Sequence, residues 1–218
     1  SSLWFNSLIN NKIHVEGINE IDKIDIDYAI TLGYKIKLLG FAELINNKIL
    51  QRVHPTLINK NSYIAGINGV SNAVIVEGKP VGESLIQGDG AGPKATTSAL
   101  VSDISSILRG NIKFPFSISN KERKKLKFKN IIEKNFSAYL RFDVLDKPGV
   151  LSHITKIFSK NKVSIKRLIQ TPNKSKKFSS IIIITHICKD EYLQKVFKQI
   201  KRKPFIIKKP KLIRIGKI

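Results

Sequence analysis

The chain has 218 residues, 42% of them hydrophobic, which allows one large domain or two smaller ones. Its single cysteine, Cys188, excludes an internal disulfide and lies in an apolar run, where a buried structural thiol is expected. No stretch approaches the roughly 18 consecutive apolar residues of a membrane-spanning helix, so we expect a soluble, cytoplasmic protein. Because methionine is absent, we expect the chain to be a fragment or a processed product, and its opening, SSLWFNSLINNKI, resembles the middle of an apolar helix.

The formal net charge of +23 is confined to the second half of the chain. Residues 1–110 hold ten basic and ten acidic side chains, whereas residues 111–218 hold 29 basic and six acidic ones. Such an excess is typical of nucleic-acid binding, but the chain is also rich in Lys, Ile and Asn, a bias that an AT-rich genome produces without any binding function. We therefore predict no nucleic-acid partner, and the composition change indicates a domain boundary.

The first half predicts a mixed sheet with few helices. Asp25 is a candidate cap for a helix at 26–32 that ends at Gly33. The predicted strands that follow alternate or are rich in β-branched residues, and they lie at 34–44, 49–58, 62–67, 72–78 and 83–87. A glycine-rich loop at 88–92 leads into a helix capped by Thr96 or Thr97, which Gly110 closes.

The second half predicts the order strand, helix, strand, strand, helix, strand. The basic segment at 111–135 has no periodicity, which predicts a linker. The predicted elements after it are a strand at 136–144, a helix at 149–160, strands at 163–170 and 179–187 around a polar turn, a helix capped by Asp190 and a last strand at 204–208. This is the ferredoxin-like βαββαβ arrangement, and residues 209–218 remain as a basic tail.

The glycine-rich loop is the first candidate for chemistry. Between a strand and a helix, free backbone N–H groups and the helix dipole can receive an anion or a nucleotide. The loop is not a dinucleotide fingerprint, because Pro93 stands where the last glycine would be and no strand ending in an acidic residue follows. A plain tight turn is the alternative interpretation.

Five ordered strings resemble the C-terminal half of a bacterial homoserine dehydrogenase: VEGINEID, DYAITLGYKIKLLGFAEL, VHPTLI, IAGINGVSNAVIVEGKPVGE and GDGAGPKATTSALVSDI. The resemblance implies hydride transfer between NAD or NADP and the pair L-aspartate 4-semialdehyde and L-homoserine, in the biosynthesis of threonine, methionine and isoleucine. It also implies that a glycine loop closes over the nicotinamide end of the cofactor. The matching positions are Gly88, Gly90, Ala91 and Gly92.

The same resemblance implies that the catalytic groups lie outside this chain. In that family the nucleotide fingerprint, the metal-binding loop, the substrate carboxylates and the catalytic lysine precede the region matched here. We therefore assign no catalytic residue and expect this polypeptide alone to be inactive. The four histidines have no partner at metal-ligand spacing and a single cysteine cannot complete a zinc set, so no protein-held metal is predicted.

The string LDKPGVLSHITKIF, after an alternating strand, resembles the ACT fold, a small ligand-sensing module. The resemblance implies that the strand-to-helix turn contacts an amino-acid effector between two such domains, and we take threonine as the hypothesis. The matching positions are Asp146, Pro148, Gly149, Val150 and Leu151. A simple D-K-P-G turn is the alternative.

The predicted fold class is therefore α+β, with a partial mixed-sheet homoserine dehydrogenase catalytic domain followed by a ferredoxin-like βαββαβ ACT domain. The predicted boundaries are 1–110 for the catalytic and dimerisation domain, 111–135 for the linker, 136–208 for the ACT domain and 209–218 for the tail. We expect an exposed apolar face on the first domain, and the family implies a homo-oligomer, with no membrane partner. The alternatives are an amino-acid sensor with a retired catalytic remnant, and a nucleic-acid binder that uses the basic stretches.

Overall fold

The computed structural model describes residues 13–111, 119, 121–123, 126–172 and 178–216. The apolar opening at 1–12, much of the predicted linker, most of the polar turn at 171–177 and the last two residues lie outside the described residues. We call residues 13–111 the first part and residues 126–216 the second part.

The first part is built around a long two-stranded hairpin and a separate two-stranded ribbon. Its elements are β1 (His14–Val15), α1 (Lys23–Thr31), β2 (Tyr34–Ile45), β3 (Lys48–Asn59), a 3-10 helix (Tyr63–Gly66), β4 (Ser71–Gly78), β5 (Gly82–Asp89) and α2 (Pro93–Leu108). Asn46 and Asn47 both have positive φ angles, 50° and 57°, as a two-residue type I′ hairpin between β2 and β3 requires. Gly33, with φ of 83°, follows α1 as predicted.

The second part has the predicted βαββαβ order. Its elements are β6 (Lys127–Phe128), a 3-10 helix (Ile131–Glu133), β7 (Asn135–Leu145), α3 (Val150–Lys160), β8 (Ile165–Pro172), β9 (Phe178–Thr185), β10 (Cys188–Lys189), α4 (Asp190–Lys201) and β11 (Lys211–Ile215). The strands of the βαββαβ unit lie in the order β11-β7-β9-β8, and every neighbouring pair is antiparallel. The predicted α+β class is confirmed.

One nine-stranded sheet runs through both parts. The terminal strand β11 pairs antiparallel with β7 on one side and parallel with β3 on the other, where Arg214 stands opposite Thr56. Strand β2 then extends the sheet beyond β3. The two parts are therefore connected by backbone hydrogen bonds across the sheet as well as by the chain.

Two apolar clusters cover the two faces of this sheet. On one face, α3 and α4 bury Ile154, Phe158 and Leu193 against residues of β7 and β9. On the other face, α1 from the first part places Ala29 beside Tyr139 of β7. The result is a helix–sheet–helix sandwich in which one of the helix layers comes from the first part.

Several local predictions were wrong. Residues 62–67 form the 3-10 helix instead of a strand, and α2 begins at Pro93, before Thr96 and Thr97. The predicted last strand at 204–208 contributes only an isolated bridge between Ile206 and Val144. The strand that completes the unit is β11, within the stretch that we predicted as a basic tail.

Two predicted caps are also corrected. The residue that caps α1 is Asp22, whose backbone N–H donates to Asp25 Oδ2 at 3.1 Å in a capping box. Asp190 is the first residue of α4 and Lys189 precedes it as the cap. The carboxylates of Asp25 and Asp190 are both fully buried, and each accepts hydrogen bonds from an arginine of the sheet.

Candidate functional sites

The glycine-rich loop lies where a strand delivers the chain to a helix. Gly88 belongs to the end of β5, and Gly90, Ala91 and Gly92 connect that strand to α2. All four residues are exposed, and Gly92 precedes α2 with φ of 108° and no side-chain cap. Because Pro93 lacks an N–H group, the free backbone donors at this helix start belong to the residues after it. No side chain of the cap residue accepts a hydrogen bond from them.

Gly90 lies close to the side chain of Asn72. Its N–H donates to Val70 O at 2.9 Å, which places the loop against the start of β4. A Cβ atom at this position would stand 1.5 Å from Asn72 Nδ2 and 3.5 Å from Asn72 Cβ. An alanine here would therefore displace the exposed Asn72 side chain or the loop.

An exposed apolar surface adjoins this loop. Helix α2 has no buried residue, and its Leu100 is 58% exposed. The large hydrophobic side chains exposed on α2 and on the ribbon of β4 and β5 are Val74, Leu85, Ile86, Leu100, Val101, Ile104, Ile107 and Leu108. Exposed apolar side chains in such numbers usually mark an interface, and they agree with the exposed face that we expected.

The predicted effector residues lie together in the second part. Residues 146–151, which we call the effector turn, line a cavity of about 340 Å³ together with Gln170 of β8 and Ile181 of β9. Gly149 precedes α3 with φ of 87°, a left-handed conformation that favours glycine, and a Cβ there would meet nothing within 4 Å. The turn thus presents the N-terminus of α3 to a concave surface, as a carboxylate-binding site requires.

A buried ionic cluster joins β7 to α1. Arg141 Nε donates to Asp25 Oδ1 at 2.7 Å, Nη1 to Asp143 Oδ2 at 2.5 Å, and Nη2 to Asp22 Oδ2 at 2.6 Å. Tyr139 Oη also donates to Asp25 Oδ1, at 3.0 Å. Burial alone acts to lower the pKa of Arg141, but the hydrogen bonds and charges of the carboxylates raise it, so the guanidinium stays charged.

A second ionic cluster joins β11 to both parts. Arg214 Nε donates to Asp190 Oδ1 at 2.8 Å, and Nη1 donates to Glu16 Oε1 at 2.8 Å. Burial acts to raise the pKa of Glu16, but its hydrogen bonds and charge interactions with His14 and Arg214 lower it to about 2. Glu16 is therefore a structural carboxylate that binds the last strand.

Sequence reasoning missed both clusters. Alternation along β7 placed Tyr139, Arg141 and Asp143 on a polar outer face, whereas all three are buried under α1. Their carboxylate partner Asp25 lies 116 residues from Arg141 in sequence, so no local pattern could have paired them. The available signal was the density of charged groups on a strand that is otherwise apolar.

Lys35, Lys37 and Cys188 lie outside the two candidate sites. Lys35 Nζ donates to Ala65 O at 3.1 Å and Lys37 Nζ to Asn68 Oδ1 at 3.0 Å, so these lysines hold the segment around the 3-10 helix. Cys188 is half-buried in β10, and burial, followed by the charge of Asp190, raises its pKa to about 11. Among the described residues, no three His, Cys, Asp or Glu side chains are grouped so as to hold a metal ion.

None of the helices in the described ranges is both long and apolar enough to cross a membrane. The fold and the two candidate sites define an α+β protein in which a mixed-sheet part with a glycine-rich helix entry continues into a ferredoxin-like unit. The family model of homoserine dehydrogenase matches residues 2–105, and that of the AHAS small subunit-like ACT domain matches residues 140–208.

Curated relatives of the chain are named homoserine dehydrogenase. The chain is 33% identical over 204 residues to the homoserine dehydrogenase of Helicobacter pylori, covering 94% of this chain and 48% of the relative. It is 34% identical over 222 residues to that of Neisseria gonorrhoeae, covering 99% of this chain and 51% of the relative. A crystal structure of a homoserine dehydrogenase from Thiobacillus denitrificans superposes with a TM-score of 0.85 at 31% identity, covering 99% of this chain and 50% of that one.

The chain therefore belongs to the homoserine dehydrogenase family of oxidoreductases, whose members use a nicotinamide cofactor. It spans about half the length of the curated relatives that it matches.

Proposed function

We propose that this chain is the C-terminal portion of a homoserine dehydrogenase that interconverts L-aspartate 4-semialdehyde and L-homoserine with NAD or NADP. In the reductive direction, a hydride passes from the nicotinamide to the aldehyde carbon and a proton is added to the oxygen. The groups that hold the nucleotide and transfer the proton would lie outside the 218 residues, so this chain alone would be inactive. The proposed setting is the biosynthesis of threonine, methionine and isoleucine in the cytoplasm.

The observation that carries this proposal is the geometry of the loop at Gly88, Gly90, Ala91 and Gly92. An exposed, uncapped helix start fits contact of backbone N–H groups with one end of a nicotinamide cofactor. The adjoining apolar surface on α2 and the ribbon supports docking of a further part of the enzyme there.

The test uses the full-length enzyme with Gly90→Ala and a rescuing second change. We expect Gly90→Ala to raise the KM for the nicotinamide cofactor, because the new Cβ displaces Asn72 or the loop. Asn72→Ala removes the atoms in the way, so the double variant should return towards the wild-type KM, while Asn72→Ala alone changes little. A Gly90→Ala enzyme with wild-type kinetics would contradict the role of this loop.

We further propose that the second part is an amino-acid-sensing domain with threonine as its effector, within boundaries close to 136–216. The cavity at the effector turn supports this assignment. A homo-oligomer would follow if two such domains share the effector.

A sensing module with a retired catalytic remnant is the second candidate, because the effector turn lines a cavity in this chain whereas no catalytic group is assigned in it. The coding sequence upstream of Ser1 separates the two candidates. An intact nucleotide fingerprint and catalytic lysine favour the enzyme, and a start codon next to Ser1 favours the sensor.

A further inference from the structure

A second cavity lies between the two parts of the chain, away from the effector turn. Its volume is about 440 Å³, within the range of small-molecule sites. One wall is the segment between β1 and α1, residues 16–21, and the other is formed by α4 and by the chain that enters β11. We call it the seam cavity.

The seam cavity has an apolar lining with charges of both signs. Its apolar side chains are Ile21, Pro55, Phe197, Pro210, Leu212 and Ile213. Glu16 and Glu20 provide carboxylates from the first part, and Lys209 and Lys211 provide ammonium groups from the second part. A ligand that carries a positive group, a negative group and an apolar side chain matches this lining.

The ammonium group of Lys211 lacks a close partner. Its side chain is only 12% exposed, and the one hydrogen bond found for it within the described ranges is a 3.5 Å contact to Glu20 Oε2. Lys209 bonds the other oxygen of Glu20. A mostly buried lysine with so long a contact has N–H groups left to donate to a further anionic partner.

The carboxylate of Glu16 also has free capacity. Its Oε1 accepts from His14 at 2.7 Å and from Arg214 at 2.8 Å, and no hydrogen bond to its Oε2 is found in the part of the chain that the structure describes. The group is ionised across the physiological range, since its pKa is about 2. Its second oxygen is thus available to a cationic donor in the seam cavity.

We propose that the seam cavity binds a small zwitterionic α-amino acid with an aliphatic side chain. The ligand carboxylate binds Lys211, the ligand ammonium binds the Glu16 and Glu20 side of the cavity, and the side chain packs on Phe197 and Leu212. This site is separate from the effector turn, and its occupancy does not depend on dehydrogenase activity. Because its two walls belong to different parts, a bound ligand bridges them.

The test measures binding of L-isoleucine, L-valine and L-threonine to the full-length protein by calorimetry. Wild-type protein should bind at least one of them, and Lys211→Gln should weaken that affinity about tenfold or more, because a charge-assisted hydrogen bond is lost. Lys211→Arg, which keeps the charge, should retain most of the affinity. The matched control is Lys198→Gln, at an exposed position of α4, which should bind as the wild type does.

Ligand analogues and a variant of the effector turn separate the two sites. If L-isoleucine binds, 2-methylbutylamine, which lacks the carboxylate, and 3-methylpentanoate, which lacks the amine, should not displace it. Gly149→Val, in the effector turn, should leave the Lys211-dependent binding intact. No binding of the three amino acids, or binding that Gly149→Val abolishes and Lys211→Gln leaves unchanged, would overturn the proposal.

Discussion

Arg141 is fully surrounded by protein, so its charge must be balanced within the fold. Three carboxylates, from Asp22, Asp25 and Asp143, accept its hydrogen bonds, and Ser180 Oγ donates to Asp143 at 2.5 Å. A buried ionic cluster of this kind adds little stability relative to apolar packing, but removal of one partner leaves buried hydrogen-bonding groups without an acceptor or a donor. The cluster therefore fixes how α1 lies on the sheet.

Asp25→Ala should lower the free energy of unfolding by about 3 kcal/mol, because Arg141 Nε and Tyr139 Oη both lose their buried acceptor. Denaturant unfolding at neutral pH measures this change. Asp27→Ala, at an exposed position of the same helix, is the control and should cost well under half as much. Equal effects of the two substitutions would mean that the cluster is not needed for stability.

His54 predicts a dependence of stability on pH. It is 1% exposed on β3, and burial, only partly opposed by its hydrogen bond to Pro55 O, lowers its pKa from 6.5 to about 4. Between these values the unfolded chain binds a proton that the folded chain does not, so stability falls as the pH falls. Through this residue, the unfolding free energy should drop by roughly 2–3 kcal/mol between pH 7 and pH 4.5.

Comparison of wild type with His54→Leu checks this assignment by denaturant unfolding across the same interval. The variant should lose much of the pH dependence, whereas the exposed His186→Gln should keep it. Glu16 does not interfere, because the stability that its lowered pKa provides is lost only below about pH 4.5. An unchanged pH profile in His54→Leu would contradict the prediction.

At the scale of single elements, the effector turn and β11 show where local sequence was and was not informative. Residues 146–151 form the predicted turn because Gly149 permits a left-handed backbone and Pro148 favours a tight turn before α3. The last strand was misplaced because Lys211 and Arg214 made KLIRI resemble a basic tail. The pairing of Arg214 with Asp190 and Glu16, which permits its burial, depends on residues distant in sequence.

Gly149→Ala should weaken threonine binding to the full-length protein and lower stability by about 1–2 kcal/mol, because alanine is strained at φ of 87°. Calorimetric titration with L-threonine and thermal unfolding measure the two effects. Gly66→Ala is a fitting control, since its φ is not left-handed and an added Cβ meets nothing within 4 Å. Unchanged threonine affinity in Gly149→Ala would count against the effector turn.

Truncation after Lys208 tests the role of β11. Without this strand, β3 and β7 lose their common neighbour, and Asp190 loses its buried cationic partner Arg214. We expect the truncated chain to lose cooperative unfolding in circular dichroism, whereas removal of residues 217–218 alone should be tolerated. A stable, cooperatively folded truncation would show that the tail prediction was right.

At the scale of the whole molecule, the sequence predicted two units and the structure connects them through one sheet. The order of helices and strands along each half, including the ferredoxin-like unit, was largely predictable, since strand alternation and helix periodicity are local properties. The continuity of the sheet was not predictable, because it depends on pairing between β3 and β11, which lie far apart in sequence. The same holds for the cover of β7, whose second face packs against a helix of the first part. The effector turn directly follows β7, so a ligand bound there lies next to the strand that carries Arg141.

The most direct measurement of the central claim is an assay of homoserine oxidation by the full-length protein and by the 218-residue chain in parallel. Both are given L-homoserine with NAD or NADP, and formation of the reduced nicotinamide is followed. The account predicts homoserine-dependent reduction by the full-length protein and none by the chain alone. Failure of the full-length protein to reduce either cofactor, or turnover by the isolated chain, would contradict it.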